Sequence, residues 1–169
     1  MVEKDFTGRT AFVTGSAQGI GLAIATILAS RGANVALADV QLSAVEKAAE
    51  SLSQKYGVKT LPLQVNVTKP NQVEAAIGKV VEHFGQLDHA VNAAGIAGLK
   101  GVGAQFTEYP TDDWELVMDV NCNGVFYCCK YEILAMLKKG VKGSIVNIAS
   151  TAGMIAFPSQ CISFSKLHN

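Results

Sequence analysis

Three glycines in Thr14-Gly15-Ser16-Ala17-Gln18-Gly19-Ile20-Gly21 have the spacing of a phosphate-approaching turn. Glycine lets the chain turn sharply and bring its amides close to a diphosphate, and a helix that opens there favours the negative charge. Gly15, Ser16, Gln18, Gly19, Ile20 and Gly21 are therefore candidate cofactor-binding residues. No Gly-Lys-Ser/Thr follows, which argues against a mononucleotide phosphate loop. Asp39 stands 18 residues after Gly21. A carboxylate there can accept hydrogen bonds from adenosine ribose hydroxyls and repels a 2′-phosphate. Gln18 occupies the turn where a basic residue could stand, and no Lys or Arg adjoins Asp39. The pattern predicts NAD as cofactor, with NADP disfavoured.

The surrounding elements are those such a turn requires. Thr10–Thr14 (TAFVT) is short, apolar and stopped by Gly15, and reads as a buried strand. Residues 20–30 form an apolar helix ended by Gly32, and 34–38 a second strand. A charged amphipathic helix over 43–56 and a strand over 59–65 follow. Thr68 is predicted to cap a helix running to residue 84, with Pro70 in its first turn. His89–Asn92 is a fourth strand, leading into Ala93-Ala94-Gly95. After a Gly-rich stretch, helical patterning covers 111–139 with a break near 121–124, and 144–148 is the fifth strand. Alternating strands and helices imply right-handed crossovers and a parallel sheet covered on both faces. The predicted class is α/β: a Rossmann-type doubly wound sheet in a single three-layer α/β/α domain over residues 1–169. Ligands in such sheets bind beyond the carboxyl ends of the strands, which puts Gly15, Asp39, Asn92, Ala93, Ala94, Gly95 and Ser150 on one rim.

Composition narrows the classes. Fourteen basic residues balance fourteen acidic ones in a chain of 169 that is 49% hydrophobic. No overall field attracts nucleic acid or an anionic membrane. The N-terminus lacks the features of a signal peptide, and no apolar run is long enough to span a bilayer. Cys122, Cys128, Cys129 and Cys161 lack paired zinc or redox spacing and read as free thiols. His83, His89 and His168 are scattered, so no metal site is expected. A cytoplasmic location is the resulting expectation.

Thr14-Gly15-xxx-Gly19-x-Gly21, Asp39, Asn92-Ala93-Ala94-Gly95, Asn121 and Val146-Asn147-Ile148-Ala149-Ser150 occur in order. On these motifs the chain resembles the short-chain dehydrogenase/reductase family from about residue 8 to residue 150. The resemblance implies hydride transfer between a nicotinamide cofactor and a secondary alcohol or ketone. It implies that Asn92, Ala93, Ala94 and Gly95 line the adenine side, with Ala93 where the family more often has a second Asn. Asn66 and Val67 would also contact cofactor, Asn66 standing where the family usually has an Asp. It further implies three catalytic residues: Asn121 to organise a proton-relaying water, Ser150 to polarise the substrate oxygen, and Lys166 to lower a phenol's pKa and hold the nicotinamide ribose.

The family's tyrosine is missing. Four residues before Lys166 stands Ile162, and thirteen after Ser150 stands Ser163. A serine hydroxyl is a far weaker acid than a phenol of pKa about 10. Tyr127 and Tyr131, four apart on one helix, read as core or dimer packing, and the family resemblance leaves room for a homo-oligomer. Asn169 closely follows Lys166. The expectation is a fold whose C-terminal part is missing, through truncation or an altered reading frame. An alternative to the enzyme is thus a catalytically impaired nucleotide-binding remnant, non-enzymatic or regulatory.

Overall fold

The structure, a computed structural model, describes residues 4–98 and 106–150. Five strands form one sheet: β1 (Thr10–Thr14), β2 (Asn34–Asp39), β3 (Thr60–Gln64), β4 (His89–Asn92) and β5 (Ser144–Asn147). Their order is β3-β2-β1-β4-β5, and every pairing is parallel. The connections are α1 (Gly19–Ser30), α2 (Leu42–Tyr56), α3 (Pro70–Phe84), and α4 (Thr111–Met118) joined to α5 (Gly124–Lys139) by a π-helical turn over Asp119–Asn123. Strand order reverses between β1 and β4, the point at which an open α/β sheet leaves a ligand crevice.

Alternation along each strand builds the two cores. Val13, Leu37 and Val91 face Ala25, Ala29, Val45, Ala49 and Leu52 of α1 and α2. Their neighbours Phe12, Ala36 and Ala90 face Val73, Ile77 and Val80 of α3 and Cys128 and Met136 of α5. Three layers result, as the patterning predicts. At the amino ends of the strands, buried Asp88 accepts from the Thr10 amide at 2.8 Å and pairs with Arg9 at 2.9 Å. Burial raises its pKa, but the Thr10 amide, Arg9 and Gln86 outweigh it and hold the carboxyl below its ordinary value.

Besides shifts of one residue at several element ends, the structure departs from the predicted elements as follows. Thr68 does not cap α3: its amide and hydroxyl both donate to Asn66 Oδ1, at 3.0 and 2.9 Å. That local turn captures Thr68, and the helix starts two residues later at Pro70, whose fixed φ suits a first turn. β2 continues one residue further, to Asp39, because Asp39 pairs with Gln64. β5 is short and mostly exposed rather than buried, since it lies at the sheet's edge among the described residues. The other edge strand accommodates Pro62, consistent with proline's confinement to edges.

Candidate functional site

The glycine turn follows β1 and opens α1. Gly15 adopts φ +64°, and a Cβ there would lie 2.8 Å from the backbone of Ala94. The turn and the segment after β4 therefore touch at a point where no side chain fits. At Gly21 a Cβ would lie 2.2 Å from the Gly15 carbonyl oxygen, so the first turn of α1 can close on β1 only with glycine there. Ser16 is fully buried, and its hydroxyl donates to the Ala38 carbonyl at 3.4 Å. It ties the turn to β2. Gln18 and Ile20 are exposed on the outer side of the turn, and Gly19 lies between them at φ +58°.

Two further side chains brace this rim. Thr14, buried at the end of β1, accepts from the amides of Ala93 and Ala94, both at 3.1 Å. Asp39 accepts from the Ala17 amide at 3.2 Å and the Gln41 amide at 3.1 Å. The Asp39 carboxylate thus sits directly against the glycine turn. Beside it, a cleft of about 420 Å³ is lined by Val40, Gln64, Asn66 and Gln72. Gln64 donates to the Val40 carbonyl at 3.1 Å, and the Asn66 amide donates to Gln72 Oε1 at 2.9 Å. Val67 is buried instead, packed where a Cβ on Gly124 would approach its Cγ2 to 2.7 Å.

Asn121 sits in the π-helical turn, at the break predicted from sequence. Its Oδ1 accepts from the Ile96 amide at 2.9 Å and its Nδ2 donates to the Ile96 carbonyl at 2.8 Å. Both functions of the amide are committed to the backbone of Ile96, just after Gly95. π-turns interrupt the helical ladder and recur at functional sites. Ser150 is exposed, shortly past the carboxyl end of β5. Lys166, Ile162, Ser163 and Cys161 lie outside the described residues.

Behind the rim is a polar cluster around the buried Asn92 and Glu132. Asn92 Nδ2 donates to Asn147 Oδ1 at 2.9 Å and to Glu132 Oε2 at 3.1 Å, with Cys129 Sγ at 3.6 Å. Glu132 is fully buried, and burial pushes its pKa up to about 7, opposed by the Asn92 hydrogen bond. Burial and the neighbouring Glu132 also push the Cys128 thiol up, far above ordinary cysteine. Sequence reading missed Glu132, Thr14, Val40, Gln64 and Gln72. For Glu132 the available signal was its place on the Cys128, Glu132, Met136 stripe, a four-residue repeat pointing into the core.

Comparison with known proteins places these features in a family. The family model described as short chain dehydrogenase matches residues 9–165. The chain is 38% identical over 155 residues to a 2,5-dichloro-2,5-cyclohexadiene-1,4-diol dehydrogenase of Sphingobium indicum, covering 92% of this chain and 59% of that protein. It is 40% identical over 152 residues to a 2-(R)-hydroxypropyl-CoM dehydrogenase of Xanthobacter autotrophicus, covering 90% and 60%. The crystal structure of an NAD+-bound xylitol dehydrogenase superposes with a TM-score of 0.89 at 35% identity, covering 96% of this chain and 61% of that one. The chain therefore spans about three fifths of the length of these relatives. No described helix is long and apolar enough to cross a membrane.

Proposed function

The chain belongs to the short-chain dehydrogenase family, and from that premise we propose that it acts in NAD-dependent oxidoreduction of a secondary alcohol or ketone. The observation that carries this reading is the tight glycine turn, in which Gly15 packs on the Ala94 backbone and Gly21 on the Gly15 carbonyl with no room for a Cβ, with Asp39 against it. The residues present fit a dinucleotide. Amides of the turn and the opening of α1 favour a diphosphate, and the Asp39 carboxylate suits ribose hydroxyls while opposing a 2′-phosphate. That charge preference supports NAD over NADP, as does the NAD+ in the xylitol dehydrogenase structure. When bound, the nicotinamide would supply or accept the hydride.

The chain's own residues would divide the remaining work. Thr14 and Asn121 hold the backbone of residues 93–96, through the Ala93, Ala94 and Ile96 amides. Val40, Gln64, Asn66 and Gln72 offer the adenine side a cleft beside Asp39. Ser150 would orient the substrate oxygen and Lys166 would hold a nicotinamide ribose. A cytoplasmic location and a homo-oligomer belong to the same proposal. The exposed apolar side chains of α5, led by Leu137 at 71% and Phe126 at 63%, support self-association.

One sequence observation favours a second reading. With Ile162 where Lys166 would require a tyrosine partner, that position supplies no phenol. Loss of a positioned general acid lowers rate about 10²–10⁴-fold. The chain would then bind cofactor as a nucleotide-binding remnant with little turnover. Calorimetric NADH titration tests the shared part: saturable 1:1 binding is expected, and no binding rejects both readings. Loss of nicotinamide absorbance with a panel of ketones separates them, since turnover supports the enzyme and its absence the remnant.

A further inference from the structure

Asn92 and Glu132 form a pair that is half satisfied. Asn92 Nδ2 donates to Glu132 Oε2 at 3.1 Å, which joins amide and carboxyl by one edge. The partner atoms, Asn92 Oδ1 and Glu132 Oε1, are both buried without a hydrogen bond. Both are acceptors while the carboxyl is ionised. Rotating the Asn92 amide would only turn its oxygen toward Asn147 Oδ1 and Glu132 Oε2, two further acceptors. One added proton resolves the mismatch. A carboxylic acid paired with an amide makes two antiparallel hydrogen bonds, leaving neither group orphaned.

We propose that Glu132 is a neutral acid in the folded chain, donating from Oε1 to Asn92 Oδ1, and is a positioning residue for the cofactor rim. Asn92 is the last residue of β4, immediately before Ala93 and Ala94, whose amides Thr14 holds and against which Gly15 is packed. Its carbonyl also accepts from the Ile148 amide at 3.0 Å, two residues before Ser150. Glu132 therefore fixes, through one amide side chain, the strand end that leads to both halves of the rim. Ionisation sends the proton to solvent and leaves two buried acceptors opposed, loosening that strand end.

Among the described residues no cation lies against Glu132. β4 and β5 present the Asn92 and Asn147 amides, and α5 presents the Cys128 and Cys129 thiols, which burial pushes up. α3 presents Glu74, which meets Tyr131. An uncompensated buried carboxylate is costly, and such groups take up a proton instead. Burial pushing the Glu132 pKa up to about 7 agrees with that outcome.

The proposal rests on the cofactor-binding reading, so its test has a readout that does not involve cofactor. An infrared difference spectrum of the whole chain, wild type minus Glu132→Gln, is expected to show a protonated-carboxyl carbonyl band at about pH 6 that vanishes by about pH 8. NADH affinity of the wild type is expected to fall about three- to tenfold over the same interval, tenfold per pH unit being the limit for one linked proton. Glu132→Gln, which keeps a donor and an acceptor toward Asn92, should bind with flat pH dependence. Glu132→Leu, which removes the Glu132 partner and leaves Asn92 Nδ2 only its bond to Asn147 Oδ1, should bind about tenfold more weakly at every pH. Absence of the acid band overturns the pair. A pH slope shared by Glu132→Gln overturns the positioning role. Failure of the wild type to bind NADH at any pH, with the band present, overturns the cofactor reading and leaves the pair standing.

Discussion

Gly21→Ala is the sharpest perturbation of the glycine turn. The added methyl would meet the Gly15 carbonyl oxygen at 2.2 Å, the Gly15 carbonyl carbon at 2.7 Å and the Thr14 oxygen at 3.1 Å. All three are backbone, so no side chain can swing aside. A carbon rests about 3.3–3.6 Å from a carbonyl oxygen, so the turn must move by about 1 Å. Overpacking of that kind costs about 1–3 kcal/mol, offset by about 1 kcal/mol because alanine is the better helix former. Net destabilisation is therefore modest, while the displaced amides no longer meet a diphosphate at hydrogen-bond distance. A hydrogen bond to a charged group contributes about 1.5–3 kcal/mol, so losing one lowers NADH affinity at least about tenfold.

Gly78→Ala supplies the paired control. It is the same chemical change in a helix interior, exposed on α3 with nothing within 4 Å of the new methyl. It should stabilise the chain by about 1 kcal/mol and leave NADH affinity unchanged. Calorimetric NADH titration and urea denaturation of both variants measure the two quantities. NADH binding by Gly21→Ala with wild-type affinity would refute the reasoning, because the glycine turn would then not be where the diphosphate lies.

Asp39→Ala removes the acceptor for the Ala17 and Gln41 amides together with the ribose-facing charge. NADH affinity should fall about tenfold and the NADPH:NADH preference should shift toward NADPH, read by competition titration. Glu132 links stability to pH with a definite sign. Its pKa, raised from 4.5 to about 7, makes the folded chain bind the extra proton between those values. Stability is then highest at the acid end, falls by up to about 3 kcal/mol as pH rises from about 4.5 to 7, and is flat above. Glu132→Gln should lack that fall in urea denaturation at about pH 5 and pH 8, and an identical fall in the variant would assign it to other groups. Cys128, buried with its thiol pushed up, should resist iodoacetamide in the native chain and react once urea unfolds it, as mass mapping would report.

What could be read from sequence was local. Gly15, Gly19, Gly21 and Asp39 announce themselves through residue type and spacing along one βαβ unit, and the strands through short apolar runs. The break at residues 121–124 was visible as a disturbed period, but its π form and the two bonds from Asn121 to Ile96 depend on a loop 25 residues away. Thr68 failed as a cap because Asn66 and Pro70 competed for the same stretch, and propensity alone does not rank such neighbours. Glu132 was hidden for the opposite reason. A charged residue in a helix reads as a solvated face, and only its four-residue spacing from Cys128 and Met136 says that it points inward.

The rim's construction makes binding and turnover separable. Thr14 clamps the loop after β4, Asp39 and Ser16 clamp the glycine turn to β2, and Asn121 clamps the π turn to Ile96. Each clamp is a short side chain bonded to backbone, and each joins segments distant in sequence. Such bonds order the amides before any ligand arrives, which lowers the entropic cost of binding. None of them involves a residue beyond 121, so they hold the cofactor side independently of how a proton reaches the substrate. In the proposed enzyme the substrate-side proton donor would come instead from residues 150–166, where Ser150 and Lys166 are present and a tyrosine four before the lysine is not. A donor at that position can therefore change turnover while leaving NADH affinity in place. Ile162→Tyr is the direct comparison: ketone reduction that rises at constant NADH affinity is the result this division of labour requires.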